Sequence, residues 1–367
     1  MLVKDIISAI EAVAPTVYQE SYDNTGLQVG NPDAEVTGVL ISLDVTEALL
    51  DEALQRGCNM VVAHHPVIFS GIKKLVGRNY VERIVHKAIK NDIAIYAAHT
   101  NLDNMLLGGV NAKIAEKLGL VNTAILDPKP GTLSKLYTYA PIDIADKVRD
   151  ALFAAGAGQV GNYSESSFNT PGTGTFRPGV GTNPAIGAPG GERERVEEVK
   201  IEVLVEKHSE GRVLKALFAS HIYEEVAYEL IPLSNANQHI GAGMVGMLPT
   251  PMPELDFLAF VKQQMKTDCI RHTALRGKMI EKVAFCGGSG SFLLPHALRA
   301  GADIFITGDY KYHQFFDAEG KIIIADIGHY ESEQFTSEIF RAVLNEKFPT
   351  FAILLSNINT NPVKYFC

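Results

Sequence analysis

Histidines and carboxylates gather at three places in this chain. His64 and His65 follow the apolar run VVA and precede Pro66. His99, Thr100, Asn101, Leu102 and Asp103 follow IAIYAA, and His329, Tyr330, Glu331, Ser332 and Glu333 follow IIIADIG. Imidazole nitrogen and carboxylate oxygen are the donors of zinc, manganese or iron centres. The cysteines Cys58, Cys269, Cys286 and Cys367 show no CxxC spacing, which argues against a thiolate zinc site and against a disulfide framework. A single histidine at a strand end is ordinarily a hydrogen-bonded surface group. Three such ends, each with an acid or a second imidazole, point to a metal centre. His329 and Glu333 stand four residues apart, so on a helix they share a face. His64 and His65 are adjacent, and a regular strand would send their rings to opposite faces. Pro66 ends that strand, and a bend there turns both rings toward one cavity.

The number of donors says more. His64, His65, Asp103, His329 and Glu333 are too many for a catalytic zinc with three protein ligands and a water. They suit two divalent ions about 3.5–4 Å apart with a carboxylate between them. Asp103 and Glu333 are the bridging candidates, because a carboxylate has two oxygens, and the three imidazoles are terminal ligands. His99, His313, Asp309 and Asp326 lie on the same strand-end loops. They are placed to orient ligands or move protons, with His99 and His313 the catalytic candidates. GGSG (287–290), between strand and helix, is either a phosphate cradle or a plain tight turn. The polar loop SYDNTGLQVG (21–30) brings Asp23 or Asn24 into consideration as well.

Such residues need a scaffold that delivers strand ends to one place. VTGVLISLDV (36–45), NMVVAHHP (59–66) and IAIYAAHTNLD (93–103) read as strands, with helices over TEALLDEALQRG (46–57) and YVERIVHKAIKND (80–92). The last third repeats the order: KVAFCGGSG (282–290), SFLLPHALRAG (291–301), DIFITGDYKYH (303–313) and KIIIADIGHYESEQF (321–335). Short apolar strands separated by helices predict an α/β fold with a mostly parallel sheet, which binds ligands beyond the carboxyl ends of its strands. NMVVAHH stands to Gly57 as DIFITGD stands to Gly301, and DIAIYAAH resembles KIIIADIG. Two pseudo-repeated βα halves related by a pseudo-twofold axis are expected.

The middle differs. Residues 156–191 are rich in Gly, Pro, Ser, Thr and Asn, and the flanking runs KLYTYAPID, IADKVRDALFAAGAG, ERVEEVKIEVLVEKHS, RVLKALFASHIYEEV and AYELIPLS give the order βαββαβ. That is the ferredoxin-like pattern. The expected domains are therefore 1–130 with 236–367, interrupted by an inserted α+β domain over 131–235. The Gly-rich stretch is its long hairpin region, with Tyr163, Phe168 and Phe176 as core or hairpin packing.

Composition bounds the function. The chain has 367 residues, 46% hydrophobic and 20% charged, with a net charge of −9; that length suits two domains and the composition a packed core. An acidic chain is a poor non-specific nucleic-acid binder. No apolar run approaches the ~20 residues of a membrane span. The first segment, MLVKDIISAIEAVAP, reads as an amphipathic helix, because Asp5 and Glu11 fall where a signal peptide is uncharged. A cytoplasmic protein with reduced thiols is the expectation.

With these motifs assembled, the sequence resembles the Nif-three-like family, whose members are also called GTP cyclohydrolase 1 type 2 homologues. The resemblance covers essentially the whole chain and is carried by DNTGLQVG, AHHPVIF, HTNLD, CGGSG, TGDYKYH and DIGHYESE. It implies a toroidal homohexamer with a dinuclear metal site on His64, His65, Asp103, His329 and Glu333. It also implies that the middle resembles the trimeric PII/CutA-like module of longer bacterial members. SHIYEEV departs from that module, with Ile222 and Val226 where proline is more usual, which touches the local roles of His221 and Tyr223. Two functions stay open: metal-assisted hydrolysis of a small substrate, with purine nucleotides such as GTP or phosphate esters as the class, or a non-catalytic metal-binding regulator or assembly protein.

Overall fold

The runs VLIS, MVVA and AIYA are buried at every position, the mark of parallel strands covered on both faces. A computed structural model describes residues 1–366 of the chain and divides them into two units, 1–128 with 238–366, and 129–237. Within the first unit the chain begins with β1 (Gly26–Val29), β2 (Val39–Ser42), β3 (Met60–Ala63), β4 (Ala94–Ala97) and β5 (Val121–Pro128). The second unit holds β6 (Leu133–Pro141), β7 (Ser167–Phe176), β8 (Glu194–Glu206) and β9 (Tyr228–Pro232). The chain then returns through β10 (Gly241–Pro253), β11 (Arg271–His272), β12 (Met279–Ser289), β13 (Ile304–Gly308), β14 (Ile323–Asp326) and β15 (Ile353–Leu355).

The first unit has two sheets built on one plan. In one, β2, β3 and β4 run parallel, β1 pairs antiparallel with β4, and β15 lies parallel beside β2. In the other, β12, β13 and β14 run parallel, β11 pairs antiparallel with β14, and β10 and β5 continue antiparallel beyond β12. Strand periodicity separates the faces. Leu40, Val61 and Ile95 pack against Leu49, Leu50 and Ala53 of helix Glu47–Gln55 and Ile84 and Ala88 of helix Tyr80–Lys90. The alternate residues Val39, Ile41, Met60, Val62 and Tyr96 join a central core with Val283, Phe285, Ile304, Ile306 and Ile323 of the second sheet. Helices start where their caps dictate. The Thr46 hydroxyl accepts from Leu49 N–H at 3.2 Å and the Asn79 side chain from Glu82 N–H at 2.9 Å.

The second unit is a four-stranded antiparallel sheet in the order β7-β8-β6-β9, with helices Ala145–Ala154 and Glu210–Ser220 packed on it. Leu136, Val148, Leu152, Ile201, Val203, Val213 and Leu217 form its own core. The Gly-rich stretch is not all loop, because it contains β7. Tyr163 and Phe168 are not core residues: they are 76% and 65% exposed, Tyr163 in the turn it closes with Val160 before β7 and Phe168 on β7, an edge strand of the sheet. Phe176 does pack, edge-on against Tyr223. Among the described residues no helix is long and apolar enough to cross a membrane.

Candidate metal centre

The bend after β3 has a specific cause. The amides of His64 and His65 both donate to the Leu43 carbonyl, at 3.1 and 3.0 Å, so the chain curls and the rings sit 4.8 Å apart on one side. After β14, Gly328 at φ +94° starts the short helix His329–Glu333. That helix turns His329 and Glu333 toward the same point, 3.1 Å apart. After β4, Asp103 closes the one-turn helix Thr100–Asp103. Asp23 holds the first turn of that helix, accepting from Thr100 N–H at 3.0 Å and from the Thr100 hydroxyl.

Each of the candidate imidazoles His64, His65 and His329 is tethered by Nδ1 and turns Nε2 toward the carboxylates. His64 Nδ1 donates to the Ala98 carbonyl at 2.9 Å, His65 Nδ1 to Asp44 at 2.7 Å, and His329 Nδ1 to Asp309 at 2.7 Å. Such outer partners fix the tautomer that leaves Nε2 as the donor atom. Glu333 then divides the centre. Its Oε2 lies 3.0 Å from His65 Nε2 and 3.1 Å from His329 Nε2, while its Oε1 faces His64 Nε2 at 3.8 Å. Asp103 Oδ1 lies 3.5 Å from His64 Nε2. Among the described residues three donor groups result, His65–His329–Glu333, His64–Asp103–Glu333 and His64–His65–His99, each with ligand atoms within 4.8 Å of one another. Glu333 belongs to the first two.

The buried atoms His64 Nε2 and Asp103 Oδ1 have no hydrogen-bond partner. Leaving such groups unpaired is costly, and a cation between them satisfies both. The residues therefore fit the metal group. The charges agree. Burial, and then the charge of Glu333, push the Asp103 carboxyl up to about 7. Burial also acts against ionised Glu333, but the hydrogen-bonding contacts of His329 and His65, with His64 close by, outweigh it and hold Glu333 well below the usual carboxylate range. For His65 and His329 burial opposes the charged form, yet Asp44, Asp309 and Glu333 raise them to about 9 and about 11. Without a cation the cluster keeps protons where a cation's charge would sit.

The glycine turn is packing rather than a cradle. The amides of Gly287, Gly288 and Gly290 donate to Asn111 Oδ1, Ser332 Oγ and Thr307 Oγ1 at 3.0, 2.9 and 2.9 Å, so they are not free for a phosphate. What the turn supplies is room: a Cβ on Gly288 would lie 2.4 Å from Glu333 Oε1.

The other sequence candidates separate. His99 stands beside the centre, its ring 5.2 and 5.4 Å from those of His64 and His65 and its Nδ1 2.9 Å from Asp23. Burial works against the Asp23 charge, but hydrogen bonds from His99 and Thr100 bring it down to about 2. Asp309 orients His329 directly. Asp326 holds the preceding turn, accepting from Tyr310 N–H and Gly328 N–H at 2.9 Å each and pairing with Arg271. His313 belongs to none of these donor groups: it is exposed and packs against Tyr312 and Phe316. Sequence reasoning passed over Asp44, although it too sits at a strand end, two residues beyond β2.

The chain matches the model of the family Duf34/NIF3 (NGG1p interacting factor 3) over residues 1–362. It is 39% identical to a GTP cyclohydrolase 1 type 2 homolog of Halalkalibacterium halodurans, over 98% of each chain. It is 37% identical to one of Bacillus subtilis, over 99% of this chain and 98% of that one. A solved Bacillus cereus protein related to NIF3 superposes with a TM-score of 0.86 at 38% identity, covering 100% of this chain and 99% of its own.

Proposed function

The chain belongs to the Duf34/NIF3 family, and from that premise we propose that it is a metal-dependent hydrolase that holds two divalent ions and acts on a nucleotide or similar small substrate. The observation that carries this reading is the pair of three-donor sets sharing Glu333. Imidazole and carboxylate donors suit Zn, Fe or Mn. Such a pair of ions lowers the pKa of water and stabilises developing negative charge on oxygen. The protein's own part is positional and protonic. Asp44, Asp309 and the Ala98 carbonyl fix the three imidazoles, Glu333 is common to both sets, and Asp103 is aimed at the His64 side. His99 is the proton carrier: Asp23 holds Nδ1, and Nε2 takes no protein hydrogen bond among the described residues. The relatives' names favour a purine nucleotide, with hydrolysis of a C–N bond of the imidazole ring; phosphate esters are the other class. The test is turnover. Protein loaded separately with Zn, Mn or Fe is expected to hydrolyse a purine nucleotide or a phosphodiester, and His99→Gln to lose about 10²-fold or more in kcat with its metal retained. Fully loaded protein without turnover on either class would overturn the reading in favour of a metal-binding regulator.

The same reading includes the second unit and the assembly. Residues 129–237 are taken as an inserted ferredoxin-like module of the PII/CutA kind, supported by the order β7-β8-β6-β9 with two helices. A homohexamer follows from the family resemblance, and light scattering giving a stable monomer at micromolar concentration would remove it. A cytoplasmic location is supported by the free thiols of Cys58, Cys269 and Cys286.

A further inference from the structure

Tyr22 and Phe69 lie side by side, ring centres 6.5 Å apart and tilted by 38°, and they are 64% and 52% exposed. Phe69 meets the His99 ring nearly edge-on at 6.2 Å, and His99 in turn neighbours His64 and His65. A run of rings thus leads from solvent to the candidate ligands. Scattered exposed aromatics need no explanation; a pair that continues into a donor cluster is a different matter. The pair is also anchored. Asn24 Nδ2 donates to the Ile68 carbonyl at 2.5 Å, and Ile68 N–H donates to Gln28 Oε1 at 3.2 Å. These bonds tie the loop bearing Tyr22 to the one bearing Phe69. Asp23, next to Tyr22, is the residue that grips His99 and Thr100.

We propose that Tyr22 and Phe69 form a stacking subsite for a planar nitrogen heterocycle of the substrate, with His99 Nε2 as the hydrogen-bonding atom at the edge of that ring. This rests on reading the centre as one that binds a small substrate, and it narrows the class to molecules with a flat aromatic part. Aromatic faces bind heterocycles by stacking whatever their exact substitution, so the pair selects for a base rather than for one particular base. A sugar phosphate without a base gains nothing from them.

The experiment measures binding, so it stands apart from turnover. Full-length protein loaded with zinc to constant metal content is titrated with guanosine monophosphate and with ribose 5-phosphate, by calorimetry or equilibrium dialysis. Guanosine monophosphate is expected to bind about tenfold more tightly or better. Phe69→Leu and Tyr22→Leu should each remove most of that preference without changing ribose 5-phosphate binding or zinc content. Phe69→Tyr and Tyr22→Phe, which keep the ring, should retain it. Equal binding of the two probes by the unaltered protein, no binding of either, or leucine variants that keep the preference would each overturn the subsite. A base preference without any turnover would leave the subsite standing and remove the hydrolase; turnover without a base preference would do the reverse.

Discussion

Glu333 is the residue on which the centre turns, because each of its oxygens faces a different donor set. Glu333→Gln keeps the shape but removes the charge and replaces one acceptor with an amide. Metal analysis is expected to show loss of at least one of two ions per chain. Glu331 lies on the same short helix but points elsewhere, accepting from Asn361 Nδ2 at 2.9 Å, so Glu331→Gln should keep both. Retention of two ions by the first variant and their loss from the second would reverse the assignment. The protons make a second prediction. In the metal-free protein His65 and His329 titrate near 9 and 11, so at pH 7 both carry a proton that a metal must displace. Loading should therefore release protons and tighten as pH rises from 6 to 8, since fewer protons then compete. Calorimetry in buffers of different ionisation enthalpy reads this directly, and a loading heat independent of buffer would refute it.

At the scale of the elements, what matters is how closely backbone approaches the ligands. Gly288 and Gly301 both hold left-handed backbone, at φ +63° and +69°, so alanine at either costs about 1 kcal/mol through strain. They differ in the space available. A Cβ on Gly288 meets Glu333 Oε1 at 2.4 Å, whereas nothing lies within 4 Å of one on Gly301. Gly288→Ala should thus lose metal as well as stability, and Gly301→Ala should lose a similar increment of stability with its metal intact. Melting curves and metal analysis on the pair check this. The same contrast explains what the sequence made legible. VLIS, MVVA and AIYA announced themselves because strands buried on both faces are uniformly apolar. His64, His65, Asp103, His329 and Glu333 stood out by residue type at strand ends. Their supports did not, because Asp44–His65 and Asp23–His99 are 21 and 76 residues apart in the chain and no local pattern encodes such a pairing. Nor could GGSG be read as packing, since its amides are taken by Asn111, Ser332 and Thr307 from other elements. Phe168 is exposed for a related reason: apolarity does not say which face of an edge strand such as β7 is covered.

At the scale of the whole chain, the two units differ in what they can bind. All five candidate ligands lie in residues 1–128 and 238–366, and the second unit, 129–237, has a core of its own. The chain leaves the first unit along β5 and returns along β10, and these strands are antiparallel neighbours with Pro128 opposite Gly241 and Asp127 opposite Ala242. The strands that flank the second unit along the chain are thus paired within the first, so unfolding of the second unit turns it into a long loop without pulling that pairing apart. A loop of such length adds only slowly to the closure cost, each doubling costing about 0.6 kcal/mol. Differential scanning calorimetry should accordingly resolve two transitions. A metal that binds only the folded first unit stabilises that unit alone, by about 4 kcal/mol when its free concentration is a thousand times Kd. Adding a chelator is therefore expected to lower one transition by several degrees and leave the other in place. In Glu333→Gln the metal-dependent shift should shrink while the second transition stays where it was. A single transition that moves as a whole with metal would show instead that the units unfold together and that the central core and the second unit's core are one cooperative structure.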